Sequence, residues 1–187
     1  MMKKINLITT IMVLILALII IDKTLIKKTR NLEVTNRIYS YMKSERNQKQ
    51  VFKDAIALNN NNSSNTCVYF VAEVLRKNNI EVAKQIANTT QLMNVLKDKG
   101  WKKDNDYKNL KPGDIVFTTD DLGNKNGAPS HAYVFMKWVN EGNYDYAYIC
   151  DNQAKDYGNK IYHIRNVKNR DSINGITKDA FSFFMKP

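Results

Sequence analysis

Apolar residues first gather without any period. From Ile5 to Ile21, INLITTIMVLILALIII, no charged side chain occurs. Seventeen residues at a rise of about 1.5 Å each span roughly 25 Å, a little short of a bilayer's hydrocarbon core of about 30 Å. Lys3 and Lys4 precede the run as a secretory n-region would, so residues 1–30 read as an export signal or a membrane anchor. No small-x-small cleavage site flanks Ala17, which favours an uncleaved anchor. Lys23, Lys27, Lys28 and Arg30 outnumber the lysines ahead of the run, and flanking charge by itself favours a cytoplasmic C-terminus. Topology stays open on these grounds.

From residue 31 to 58 the spacing becomes helical, with Val34, Ile38, Tyr41 and Met42, then Val51, Ala55 and Ile56, and neither Gly nor Pro. The polar gap from Lys43 to Gln50 predicts two helices, or one with a wet middle. The segment is either a stalk or the first helix of the domain. NNNNSSN at 59–65 is a loop by composition. TCVYFVAEVLRKNN then predicts a helix that Ser64, Asn65 or Thr66 caps and Asn78 or Asn79 stops. A shorter helix runs from Gln91, with Thr89 or Thr90 as cap and Gly100 as its stop.

After Trp101 the period shortens. LKPGDIVFTT places a Pro-Gly turn before a β-branched and aromatic strand. HAYVFMKWV, YDYAYICDN and NKIYHIRNV predict further strands, the last two joined by a turn near Gly158, and FSFFMK a final one. Helices first and strands afterwards predict an α+β domain with a largely antiparallel sheet. Three segments result: 1–30 as signal or anchor, 31–58 as stalk or first helix, and 59–187 as the main domain.

Composition changes this picture little: at 187 residues and 43% hydrophobic, the chain suits one domain plus an appendage. Charge adds more. Beyond residue 30 there are 23 basic against 17 acidic residues, a net +6 that favours anionic surfaces such as phospholipid or acidic wall polymer. No RRM, KH, zinc-finger or helix-turn-helix signature accompanies it, which argues against nucleic acid as a partner.

Only two cysteines and two histidines occur. Cys67 falls in the first turn of a predicted helix, where unpaired backbone N–H groups and the helix dipole favour a thiolate. A thiol hydrolase also needs a base and a group that fixes the base's tautomer. His131 opens a strand after a Gly- and Pro-containing loop and is the candidate base. His163 alternates with Tyr162 and Ile164 and reads as an outward-facing or partner-facing strand residue. Asp151, at the end of YAYICDNQ, is the candidate orienting group, with Asn152 as the fallback. Against catalysis stand a core role for Cys67 and a Cys67–Cys150 disulfide. Zinc lacks the CxxC or HxxxH spacing it needs, so no metal or organic cofactor is expected. Asp114 reads as a turn residue capping its own backbone. Asp120 and Asp121 read as a solvated loop. Tyr144, Tyr146 and Tyr148 share one strand face by period two, covering the sheet or lining a groove.

TCVYFVAEVLRKNNI, then LKPGDIVF, then SHAYVFM, then a strand ending in a polar residue, resembles the CHAP and NlpC-like cysteine hydrolases from about Ser63 to Pro187. Thr66 stands where many NlpC-like members carry Asp, so the likeness is nearer the CHAP branch. The resemblance implies a papain-like core and hydrolysis of an amide bond, usually in bacterial peptidoglycan, with Cys67 as nucleophile, His131 as base and Asp151 as third residue. It implies a membrane-anchored extracellular or a secreted protein acting on peptidoglycan or peptide. A catalytically inactive anchored module that binds wall polymer or nucleic acid is the alternative.

Overall fold

A computed structural model describes residues 7–187; Lys3, Lys4 and Ile5 lie outside them. The described chain divides into two compact units that meet between Glu33 and Val34. Helix α1, Leu7–Met42, belongs to both. Its first part exposes Ile11 through Ile26 on every side, and its apolar window has a mean hydropathy of 2.3, long and apolar enough for a membrane span or a signal sequence. Its last turns behave differently: Ile38 and Met42 are fully buried.

The second unit is α+β. Helix α2, Glu45–Leu58, follows a break at Lys43–Ser44, where the sequence has its polar gap. Helices α3, Cys67–Lys77, and α4, Thr89–Asp98, complete the helical layer. Val51, Ala55, Phe70, Val71, Leu75, Leu92 and Leu96 join Ile38 and Met42 in one core against the sheet. The 31–58 segment therefore packs into the domain at its apolar positions.

Strands β1 (Lys102–Asp104), β2 (Ile115–Thr118), β3 (Ala132–Asn140), β4 (Asn143–Cys150), β5 (Tyr162–Asn166) and β8 (Phe181–Lys186) form one antiparallel sheet in the order β1-β8-β2-β3-β4-β5. Along β2 and β3 the side chains alternate between two cores. Ile115, Phe117, Ala132, Val134 and Met136 face the helices, and Val116, Tyr133 and Phe135 a smaller core with Leu110, Trp138, Ile149 and Phe184. Burial on both faces explains why these strands read as nearly continuous apolar runs.

Several features depart from the sequence reading, β1 among them. A separate hairpin, β6 (Asp171–Ile173) and β7 (Ile176–Lys178), turns at Asn174-Gly175, both at positive φ (53° and 78°), the usual signal for a two-residue hairpin turn. Helix α4 starts at Thr89, with Asn88 as its cap: the Gln91 N–H donates to Asn88 Oδ1 at 2.9 Å. Thr89 donates instead to Pro129 O at 2.8 Å, tying the helix to the loop ahead of β3. The tyrosines of β4 do not share a face. Tyr148 stacks on Tyr162 at 5.2 Å, whereas Tyr144 packs edge-on to Trp138 at 5.1 Å in the second core. The β3–β4 register shifts between Trp138 and Asn140, and a bulge of this kind breaks the period of two.

Candidate active site

The asparagine-rich loop before Cys67 is a folded support. Asn60, Asn61 and Asn65 all take positive φ (52°, 60° and 53°), a region that Asn enters more readily than other non-glycine residues. Asn59 Nδ2 donates to Asn62 O (2.9 Å) and Ser64 O (2.8 Å), and the buried Thr66 hydroxyl lies 3.0 Å and 3.1 Å from the same two carbonyls. Thr66 thus occupies the N-cap position without capping through its side chain. Its hydroxyl locks the loop, and the loop delivers Cys67, half-buried, to the first turn of α3, where the backbone amides have no partner within the helix.

His131 directly precedes β3. Its backbone pairs with β2 on both sides, the Thr118 N–H donating to His131 O at 3.1 Å and the His131 N–H to Thr118 Oγ1 at 3.1 Å. Asp151 directly follows β4. The antiparallel pairing of β3 and β4, Val134 opposite Cys150, brings the start of one strand beside the end of the other. His131 Nε2 accordingly meets Asp151 Oδ2 at 2.8 Å, with both residues buried. The His131 ring is also near enough to the Cys67 sulfur to lower its pKa. With Nε2 held by Asp151, Nδ1 is the nitrogen that serves the thiol. Cys67, His131 and Asp151 therefore form one connected set, drawn from a helix start, a strand start and a strand end.

The electrostatics agree with the connectivity. Burial pushes the Cys67 thiol upward, but its bonds to His131 and to the Ala132 and Val68 amides bring it below the ordinary thiol value. Burial pulls His131 down, and Asp151 and the Cys67 sulfur more than offset this, so its imidazolium is favoured. Burial pushes Asp151 up, yet His131, with His163 and Arg165 beyond it, holds the carboxyl well below the usual range. All three shifts run toward the charged forms: thiolate, imidazolium and carboxylate.

The other residues singled out by sequence fall elsewhere. Asn152 does not reach His131; its Oδ1 is buried without a protein partner. Both cysteines are free thiols, and Cys150, fully buried in the helix-side core, is pushed well above the ordinary value by burial. Asp114 accepts the Lys111 N–H at 2.8 Å, and Asp120 Oδ1 accepts the Leu122 and Asn124 amides.

His163 is a correction. It is 5% exposed and stacks on Tyr157 at 3.6 Å between centroids, and its Nε2 stands 3.7 Å from Asp151 Oδ1. The β4–β5 register pairs it with Ile149, two positions before Asp151, so the two are diagonal neighbours on one face. A polar layer continues behind it: Arg165 donates to Gln153 Oε1 at 3.0 Å and to Asp179 O at 2.9 Å, and the Gln153 N–H donates to Asp151 Oδ1 at 2.8 Å. Alternation along KIYHIR gives the parity of His163 and Arg165. Which face is buried depends on the partner strand, which local spacing does not reveal.

Among the described residues no group of His, Cys, Asp and Glu is placed to hold a metal ion. No protein-family model, curated protein or solved structure matches this chain.

Proposed function

We propose that the protein is a cysteine-dependent amide hydrolase with a papain-like core, acting on bacterial peptidoglycan as an amidase or endopeptidase. The observation that carries this reading is the connected Cys67–His131–Asp151 set, with the thiol below and the imidazole above their ordinary values. In the reaction the Cys67 sulfur attacks the amide carbonyl carbon and His131 holds the thiol proton. His131 then passes that proton to the leaving nitrogen as the C–N bond breaks, leaving a thioester on Cys67. Water, deprotonated by His131, attacks the thioester, and the sulfur departs to restore the starting state. Asp151 keeps the imidazole oriented and offsets its positive charge throughout. The Cys67 N–H, at the open start of α3, is the oxyanion donor supplied by the nucleophile's own residue. The apolar part of α1 supports a membrane-anchored or exported protein; the domain's place outside the cell follows from the proposed substrate, against the flanking charge.

The test is to incubate the full-length chain in neutral detergent with purified bacterial cell walls under reducing conditions, beside Cys67→Ala and His131→Ala, and to assay new amino groups. Release by the parent alone supports an amide hydrolase. If walls of several chemotypes yield no amines yet bind all three proteins equally, an inactive binding module replaces it.

A further inference from the structure

A cleft of about 1000 Å³ opens between the end of α1, α2, and the β4–β5 corner; Cys67, His131 and Asp151 do not line it. Two of its lining residues connect it to the catalytic set, one through the chain and one through a hydrogen bond. Ser63 lies four residues before Cys67, and Ile161 O accepts the Asp151 N–H at 3.3 Å. Its charge is one-sided: Lys43, Lys49, Lys137, Lys155 and Lys160 line it against the single acid Glu45. That acid is already engaged, since Lys49 Nζ lies 2.6 Å from it. Lys43 and Lys137 rest over the rings of Tyr39 and Tyr148, and among the described residues neither they, Lys155 nor Lys160 has a carboxylate within ion-pair distance. Four uncompensated ammonium groups around one concavity repel one another and concentrate anions there. Tyr39, Phe52 and Tyr162 add aromatic surface between them.

We infer that this cleft is a subsite for the acidic arm of a peptide substrate, the lysines taking its carboxylates and the aromatic rings its apolar side chains. The aromatic surface selects a peptide over a polyanion of phosphate and polyol, which has nothing apolar to bury there. The inference rests on the hydrolase reading only in placing a scissile amide next to the cleft.

The experiment measures binding without turnover. The full-length Cys67→Ala chain in neutral detergent is titrated against dye-labelled probes followed by fluorescence anisotropy. The probes are a five-residue peptide with two glutamates between leucine and phenylalanine, its glutamine counterpart, and a glycerol-phosphate oligomer. The glutamate peptide is expected to bind about tenfold more tightly than either other probe, with the preference shrinking in high salt. Lys155→Gln with Lys160→Gln removes most of that preference, whereas Lys97→Gln with Lys99→Gln on α4 leaves it; all four lysines are exposed, so both variants keep the parent's melting behaviour. Equal affinity for the two peptides overturns the inference, as does tighter binding of the glycerol phosphate, or a preference insensitive to the cleft lysines. A glutamate preference in a protein whose parent releases no amines from walls sinks the hydrolase reading and leaves the acidic-peptide site standing.

Discussion

Replacing Asp151 by Asn tests whether the carboxylate sets the charge state of the other two groups. The side chain is fully buried and accepts two hydrogen bonds, from the His131 ring at 2.8 Å and from the Gln153 amide at 2.8 Å. Asn offers one oxygen in place of two, so it serves one of these donors and turns its amide against the other. A hydrogen bond to a charged group contributes about 1.5–3 kcal/mol where a neutral one contributes about 1 kcal/mol, so losing the charge costs His131 about 1–2 kcal/mol. Bare attraction across 2.8 Å at an effective dielectric near 20 sets a ceiling of about 6 kcal/mol, most of it offset by the cost of burying the carboxylate. At about 1.4 kcal/mol per pKa unit, the His131 imidazolium weakens by about 1 unit, and the thiolate beside it becomes harder to form by a similar amount. The assay is the pH dependence of iodoacetamide alkylation at Cys67, read by mass spectrometry on the full-length chain. Cys150, buried and held well above the ordinary value, is the internal control that stays unmodified. The Asn variant's profile should rise about 1 pH unit later than the parent's. Coincident profiles, or an earlier rise in the variant, would refute the electrostatic role assigned to Asp151.

Burial raises Asp114 to about 7, so between about pH 4 and 7 the folded chain holds a proton that the unfolded chain has released, and stability falls as pH climbs through that window. Asp114→Asn, which still accepts the Lys111 amide, should flatten the decline by about 3 kcal/mol between pH 5 and 8 in urea unfolding; parallel curves for the two proteins would contradict this. Gly113 sits at φ +93°, and a Cβ there would fall 2.0 Å from Thr35 O, so Gly113→Ala should cost more than about 3 kcal/mol. Gly100→Ala, at φ +86° with nothing within 4 Å, should cost only about 1–2 kcal/mol in the same denaturation series, and equal losses would discount the close approach. Lys178 is buried to 1% exposure against Asp156 at 2.5 Å, so Lys178→Met should destabilise by about 3 kcal/mol and a second change, Asp156→Asn, should recover most of the loss; a neutral single variant argues that water compensates Asp156.

The features legible in the sequence were those written in local chemistry. The apolar period of α3, the Asn-rich turn before it and the β-branched run of β2 each depend on residues within a few positions, and helices ahead of strands sufficed for the α+β class. His131 and Asp151 were legible because each sits where a strand meets a loop, and chains bring such ends together at the edge of a sheet. What stayed hidden depended on partners distant in sequence. The buried side of His163 is set by pairing with Ile149, and the split of Tyr144 from Tyr148 by a shift against β3. The cap of α4 was misplaced because Thr89 has the chemistry of a cap but is held by Pro129, 40 residues on. The cleft lysines lie in the break after α1, on α2, on β3 and between Asp151 and β5, so no local charge run announces them.

Two histidines flank one carboxylate, and their surroundings favour the charged form of only one of them. His131 touches Asp151 Oδ2 at 2.8 Å and gains a second anionic neighbour when Cys67 ionises, so its proton is stabilised from both ring nitrogens. His163 stands 3.7 Å from Oδ1, beyond a good hydrogen bond, and its Nδ1 is taken by Lys160 O at 3.0 Å. Burial lowers His163, and Asp151 opposes this, but Arg165 and His131 add positive charge nearby and the imidazole stays below its ordinary value. A second imidazolium at this spot would compete with His131 for the same carboxylate and weaken the thiolate pair. A neutral ring stacked on Tyr157 instead fills the space behind Asp151 and limits its movement, while the Gln153 amide holds Oδ1. The chain thus shifts its two histidines in opposite directions around one acid, one toward the imidazolium beside the thiol and the other toward the neutral ring that keeps that acid in place.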